Sequence, residues 1–266
     1  MDSYRFTAGT APLLVSMPHV GTHVPADIAA RFTDAAQPLP DTDWHVDRLY
    51  DFLGDLGASV IAATHSRYVI DLNRAPDDRA LYAGARNTEL CPTSTFAEQP
   101  LYRDGGGPDA DEAAARRDAH WRPYHDQLAE ELSAITARHG IAVLWDAHSI
   151  RSRVPRFFDG RLPDLNLGSG GGTTADPGLL AGLETAAAQA EGYTSVLDGR
   201  FKGGYITRNY GDPAGGVHAV QLELSQITYM DEDPPYTFRD DLAAGIRPVL
   251  RRLMETALAW ARGRVA

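Results

Sequence analysis

Cysteine is almost missing from this chain: Cys91 is the only one in 266 residues. A single thiol excludes an intramolecular disulfide and any cysteine-rich zinc site, so Cys91 is read as a spectator. Such thiol poverty fits a reducing compartment. Positive charge is also scarce, with 25 Lys and Arg against 36 Asp and Glu and a formal net charge of −11. A chain of this sign lacks the electrostatic footprint that phosphate backbones require, which argues against nucleic acid as a partner. No stretch approaches the roughly 18 apolar residues of a membrane helix. The opening Met1-Asp2-Ser3-Tyr4-Arg5 also lacks the charged-then-apolar build of a secretory signal. The expectation is a cytoplasmic protein with no membrane partner. Repeats and low-complexity tails are absent, and nothing in the sequence fixes an oligomeric state.

Several catalytic signatures are missing too. There is no G-x-S-x-G elbow, so Ser149 is a poor nucleophile candidate. The glycine-rich run at 168–172 lacks the lysine of a P-loop and does not match G-x-G-x-x-G. It reads as a mobile loop, with a lid over the site as the alternative. His19 and His23 have the spacing of the helical H-E-x-x-H motif, but Gly21 and Pro25 argue against a helix and no Glu follows His19. His120 and His125, five apart, point to different sides of a helix and read as surface or packing residues. His45, His65, His139 and His218 have no motif context and are read the same way.

The composition that is present, 43% apolar and 23% charged, is that of a chain able to build one large, well-buried domain over residues 1–266. Short apolar runs alternate with amphipathic ones, an α/β pattern. Strands are expected at Leu13–Met17, Ser59–Ala63, Tyr68–Leu72, Ile141–Trp145 and His218–Leu224. Helices are expected over Asp43–Leu56, Asp109–Arg138, Pro177–Glu191 and Phe238–Arg262. Residues 75–108 read as a long functional loop region. The alternation implies a mostly parallel sheet covered on both faces, with ligands bound beyond the carboxyl ends of the strands.

Titratable groups gather at those ends. The first strand runs into Pro18-His19, the strand at 141–145 into Asp146-Ala147-His148, the strand at 68–72 into Asn73-Arg74, and Glu223 lies near the end of another. Two histidines and a carboxylate can hold zinc and leave a fourth position for water. A separate glutamate can then carry that water's proton.

Taken together, six strings are more specific than the spacing. They are Ser16-Met17-Pro18-His19-Val20-Gly21-Thr22-His23-Val24-Pro25, Asp41-Thr42-Asp43-Trp44-His45-Val46-Asp47, and Ser66-Arg67-Tyr68-Val69-Ile70-Asp71-Leu72-Asn73-Arg74. Asp146-Ala147-His148-Ser149, Gly203-Gly204-Tyr205-Ile206-Thr207-Arg208 and Gln221-Leu222-Glu223-Leu224 follow. In this order, from about residue 12 to 230, the chain closely resembles the N-formylglutamate amidohydrolase (deformylase) family of histidine degradation. The resemblance implies an α/β fold: a three-layer αβα domain with a mixed, mostly parallel sheet, like that of the zinc carboxypeptidases. It implies metal-dependent hydrolysis of N-formyl-L-glutamate to L-glutamate and formate with one divalent metal ion, zinc foremost. Carried over by position, His19 and His148 are the histidine ligands. Asp43 is the preferred carboxylate ligand, with Asp47 as its competitor. The residue three after His19 is Thr22, which departs from the His-x-x-Glu ligand pair of the carboxypeptidases. Glu223 matches the general base and acid. Arg67 matches the arginine that polarises the scissile carbonyl, Asn73 and Arg74 the pair that grips a substrate carboxylate, and Arg208 a second carboxylate site. Another N-acyl or formimino amino acid is the alternative substrate.

Overall fold

The computed structural model describes residues 1–80 and 88–264. In chain order its strands are β1 (Tyr4–Thr7), β2 (Leu13–Met17), β3 (Ser59–Ala63), β4 (Ala142–Ile150), β5 (Leu165–Gly168), β6 (Ser195–Leu197) and β7 (Val217–Ser225). Its α-helices are α1 (Ala26–Ala29), α2 (Val46–Leu49), α3 (Ala110–Arg116), α4 (Arg122–His139), α5 (Pro177–Ala188), α6 (Tyr205–Tyr210) and α7 (Asp240–Arg262). The strands form one sheet in the order β1-β3-β2-β4-β7-β5-β6. It is mixed but mostly parallel: β1 runs antiparallel to β3 and β5 antiparallel to β7, while the other four pairings are parallel.

Side chains alternate across a strand with period two, and here the alternation builds two cores. Val15, Val143, Trp145, Val220 and Leu222 point into a layer shared with α5 and α7. Leu14, Ala142, Leu144 and Ala219 point into the opposite layer, under Tyr124, Leu128 and Ile135 of α4 and Ile206 of α6. Helices on both faces make the three-layer α/β arrangement expected from the sequence. On the α4 face the apolar positions of β4 and β7 give way toward their carboxyl ends to Asp146, His148, Gln221 and Glu223, all buried. The parallel register sets His148 directly beside Glu223.

Several expected elements differ. The helix expected over Asp43–Leu56 starts only at Val46, because His45 has a left-handed backbone, φ 62°, and it breaks at Tyr50 (φ −92°, ψ 30°) into a 3-10 turn at Asp51–Gly54. Asp43 therefore precedes the helix in a turn. Tyr68–Leu72 is buried but is no strand: Val69 N–H turns back to Ser66, and Asp71 N–H reaches Leu90. A short apolar run looks the same whether a strand or a packed loop buries it. The β4 strand runs on through Asp146–Ser149, which were expected to follow it. The short strands β1, β5 and β6 and the six-residue α6 were not anticipated. The helix expected over Asp109–Arg138 forms as α3 and α4 joined by a π turn at Arg117–Trp121. Within 75–108 the described residues hold one 3-10 turn, Arg103–Gly105; residues 81–87 of that region lie outside the described residues. The glycine-rich turn at 168–172 is held by Asp198, whose carboxylate accepts from Ser169 and Gly171 N–H.

Candidate active site

The carboxyl ends of β2, β4 and β7 open into a pocket whose wall includes His19, Arg67, His148 and Glu223. His19 lies two residues past β2. Its backbone carbonyl accepts from Asp43 N–H at 3.0 Å, which draws the 41–45 turn over the strand end. The result is a cluster of His19, Asp43 and His148, all buried. His148 Nδ1 is 3.1 Å from His19 Nδ1 and 3.1 Å from Asp43 Oδ2, and His19 Nδ1 is 3.7 Å from the same oxygen. Asp47, the competing carboxylate, lies instead at the surface, paired with Arg5 at 2.9 Å.

The outer ring nitrogens explain why the inner ones face one another. His19 Nε2–H donates to Asp71 Oδ1 at 2.7 Å. His148 Nε2 lies 3.0 Å from Asp146 Oδ2. With hydrogens on the outer nitrogens, both Nδ1 lone pairs and a carboxylate oxygen converge on one point. A divalent cation at that point would satisfy all three ligand atoms at once. Ligands about 2.1 Å from a tetrahedral zinc sit about 3.4 Å apart, and the triangle of 3.1, 3.1 and 3.7 Å brackets that spacing. The residues present therefore fit a divalent metal.

The electrostatics agree with that reading. Burial pushes the His148 ring toward neutrality, but the Asp146 and Asp43 carboxylates outweigh it and raise its affinity for positive charge. Burial and then Arg67 lower the His19 pKa, against Asp71. Burial opposes ionisation of Asp71 as well, yet His19 and Arg67 hold its carboxyl well below the ordinary range. Glu223, buried on β7, is pushed up to about 8, first by burial and against the opposing pull of His148. Gln221, two residues earlier on the same strand face, donates from Nε2 to Glu223 Oε2 at 3.1 Å and accepts Gly204 N–H.

The remaining expected residues are distributed unevenly. Arg67 lines the pocket, with Nη2 2.6 Å from Asp71 Oδ2 and its guanidinium 4.8 Å from the Phe96 ring centre. Asn73 lines it too, but its amide is committed within the protein. Nδ2 donates to Asp146 Oδ2 at 3.3 Å, the carboxylate that His148 Nε2 also faces, and Oδ1 accepts Ile206 N–H at 2.8 Å. Arg74 reaches the pocket while donating to Thr88. Arg208 does not line this pocket: it donates to the Gly203 carbonyl and lines a neighbouring cleft shared with Arg74, Arg79 and Tyr205. Sequence reasoning assigned no role to Gln221, which the two-residue strand period placed beside Glu223. It likewise passed over Arg200, a pocket residue on an irregular loop with no periodic signal. Cys91 is buried, its thiol pushed up to about 11 by burial, in keeping with a spectator.

A mostly parallel α/β sheet carrying two histidines, a carboxylate and a buried glutamate at its carboxyl edge defines a hydrolytic enzyme. The comparisons narrow the class. The family model for N-formylglutamate amidohydrolase matches residues 11–230, and the chain belongs to that family; it is an amidohydrolase. It is 55% identical over 261 residues to the N-formylglutamate deformylase of Pseudomonas aeruginosa, covering 98% of each chain. To that of Pseudomonas putida it is 52% identical over 255 residues, covering 96% of this chain and 95% of the relative. Its fold matches the crystal structure of N-formylglutamate amidohydrolase from Ralstonia eutropha JMP134 with a TM-score of 0.81 at 26% identity, covering 99% of this chain and 98% of the other.

Proposed function

We propose that the chain hydrolyses N-formyl-L-glutamate to L-glutamate and formate, within histidine degradation, with a divalent cation, zinc foremost, held by His19, Asp43 and His148. The observation that carries this reading is the convergence of three buried ligand atoms within 3.7 Å of one another, with His148 directly beside Glu223 in the β4–β7 register. Family membership supplies the substrate. When bound, the cation supplies Lewis acidity toward the formyl carbonyl and makes a water acidic near neutral pH.

The chain's own groups do the rest. Glu223 takes a proton from the attacking water, and a C–O bond forms at the formyl carbon. As the C–N bond breaks, Glu223 returns that proton to the departing amine nitrogen. Its carboxyl is suited to both halves because burial brings its pKa to about 8; positive charge at the triad favours the ionised form that starts the cycle. Arg67 faces the oxygen that gains charge, and its pairing with Asp71 holds the guanidinium in place beforehand. Arg74 meets the substrate's α-carboxylate as a forked donor, and Asn73 steadies His148 through the Asp146 carboxylate they share. Nothing but water is consumed.

The test is formate release from N-formyl-L-glutamate before chelation, after it, and after zinc is restored. Activity that disappears and returns supports both the reaction and the metal. Activity indifferent to thorough chelation keeps the substrate and overturns the metal. Release of longer acyl groups in preference to formyl overturns the substrate.

A further inference from the structure

A glutamate-derived substrate brings two carboxylates into a protein whose formal charge is −11. Long-range attraction is unfavourable, so each carboxylate needs a cation at contact distance. Of the pocket's arginines, Arg67 is held by Asp71 beside the reacting carbonyl, and Arg74 lies next to Asn73 with its guanidinium on Thr88. Arg208 lines the neighbouring cleft. Arg200, in the loop between β6 and α6, lines the active-site pocket itself.

Its surroundings differ from those of the other two. Nε donates to the Phe157 carbonyl. The guanidinium carbon lies 5.8 Å from the Phe157 ring centre and 5.5 Å from that of Phe201. Aromatic faces hold a guanidinium and fix its plane without neutralising it. Among the described residues Arg200 has no carboxylate partner, and its two Nη nitrogens are left for a ligand. Ile150, Phe96 and the same Phe157 and Phe201 also line the pocket, an apolar wall suited to a short methylene chain ending in an anion.

We propose that Arg200 reads the substrate's side-chain carboxylate and so sets the preference for acidic over neutral N-formyl amino acids. The inference rests on the hydrolytic reading above. The experiment compares kcat/KM for N-formyl-L-glutamate and its neutral isostere N-formyl-L-glutamine in the unmodified enzyme, Arg200→Met and Arg200→Lys, each loaded with zinc. The expected result is a loss of about 100-fold on the glutamate substrate in Arg200→Met, the scale of a broken desolvated charge pair. The glutamine substrate changes by less than about threefold, and Arg200→Lys falls between, since a point charge replaces a fork. Parallel losses on both substrates, or no loss on either, overturn the assignment. Calorimetric binding of L-glutamate and L-glutamine to the same three proteins separates this inference from the reaction. If the unmodified protein releases no formate, the hydrolytic reading fails. A glutamate preference that Arg200→Met abolishes still supports Arg200, whereas one it leaves intact overturns it.

Discussion

Glu223 is the residue on which chemistry and architecture meet. It must be buried to have a raised pKa, yet its Oε2 must keep the Gln221 donor that aims it. Glu223→Gln preserves shape and that neighbour while removing the proposed proton carrier. We expect kcat to fall about 10²- to 10⁴-fold, the usual contribution of a positioned acid–base group, with metal content unchanged by elemental analysis. Near-normal turnover would transfer the proton to another group. Gly204 makes the residue-scale case for backbone: a Cβ there would come within 2.2 to 2.5 Å of the Asn73 amide. Gly204→Ala should displace Asn73 from His148 and lower kcat/KM roughly tenfold or more, since a shift of about 1 Å in a site can reach 10². An unchanged kcat/KM would show that Asn73 does not hold His148 in place.

At the scale of elements, α4 carries a buried histidine that the chemistry does not use. His125 Nε2–H donates to the Leu72 carbonyl at 2.8 Å, Nδ1 lies 2.9 Å from the Tyr210 hydroxyl, and the ring stacks on Trp121. Burial lowers its pKa to about 4, below the ordinary 6.5. The unfolded chain thus takes up a proton before the folded one does as pH falls. The stability tied to the neutral ring is whole above about pH 6.5 and drains away toward pH 4, a difference worth roughly 3 kcal/mol. Thermal unfolding followed from pH 7 to pH 4 should show this loss, with a shallower slope in His125→Gln; equal slopes would place the acid sensitivity elsewhere. Element by element, the sequence was legible where periodicity and burial agree. The β4 and β7 runs, α5 and α7 announced themselves; His19, His148 and Glu223 stood out at strand ends, but their proposed roles came from the family resemblance. Tyr68–Leu72 misled because a packed loop is as apolar as a strand. The 43–56 helix misled because apolar spacing does not reveal the left-handed turn at His45. Arg200 sits on an irregular loop and Arg208 on the six-residue α6 that follows it, too short a helix for any period to tell which guanidinium faces the pocket.

Across the whole molecule, the triad is drawn from positions 19, 43 and 148, and its outer support from Asp71 and Asp146. A cation held there binds the folded chain and not the unfolded one, so it stabilises by mass action. Chelation should therefore lower Tm as well as activity; at free zinc 100 times its dissociation constant the loss is about 2.7 kcal/mol. An unaltered Tm together with lost zinc would mean that the triad is stable without its ion. The strand order β1-β3-β2-β4-β7-β5-β6 has a consequence for how the protein comes into being. During synthesis β5 and β6 emerge before β7, yet they join the sheet only through it. The last strand made is the interior one, and it is the strand that delivers Glu223. A nascent chain that ends before β7 has His19, Asp43 and His148 on or beside β2 and β4, but it lacks Glu223, the proposed proton carrier, until β7 enters between β4 and β5. On that reading, hydrolytic competence arrives with the closing of the sheet.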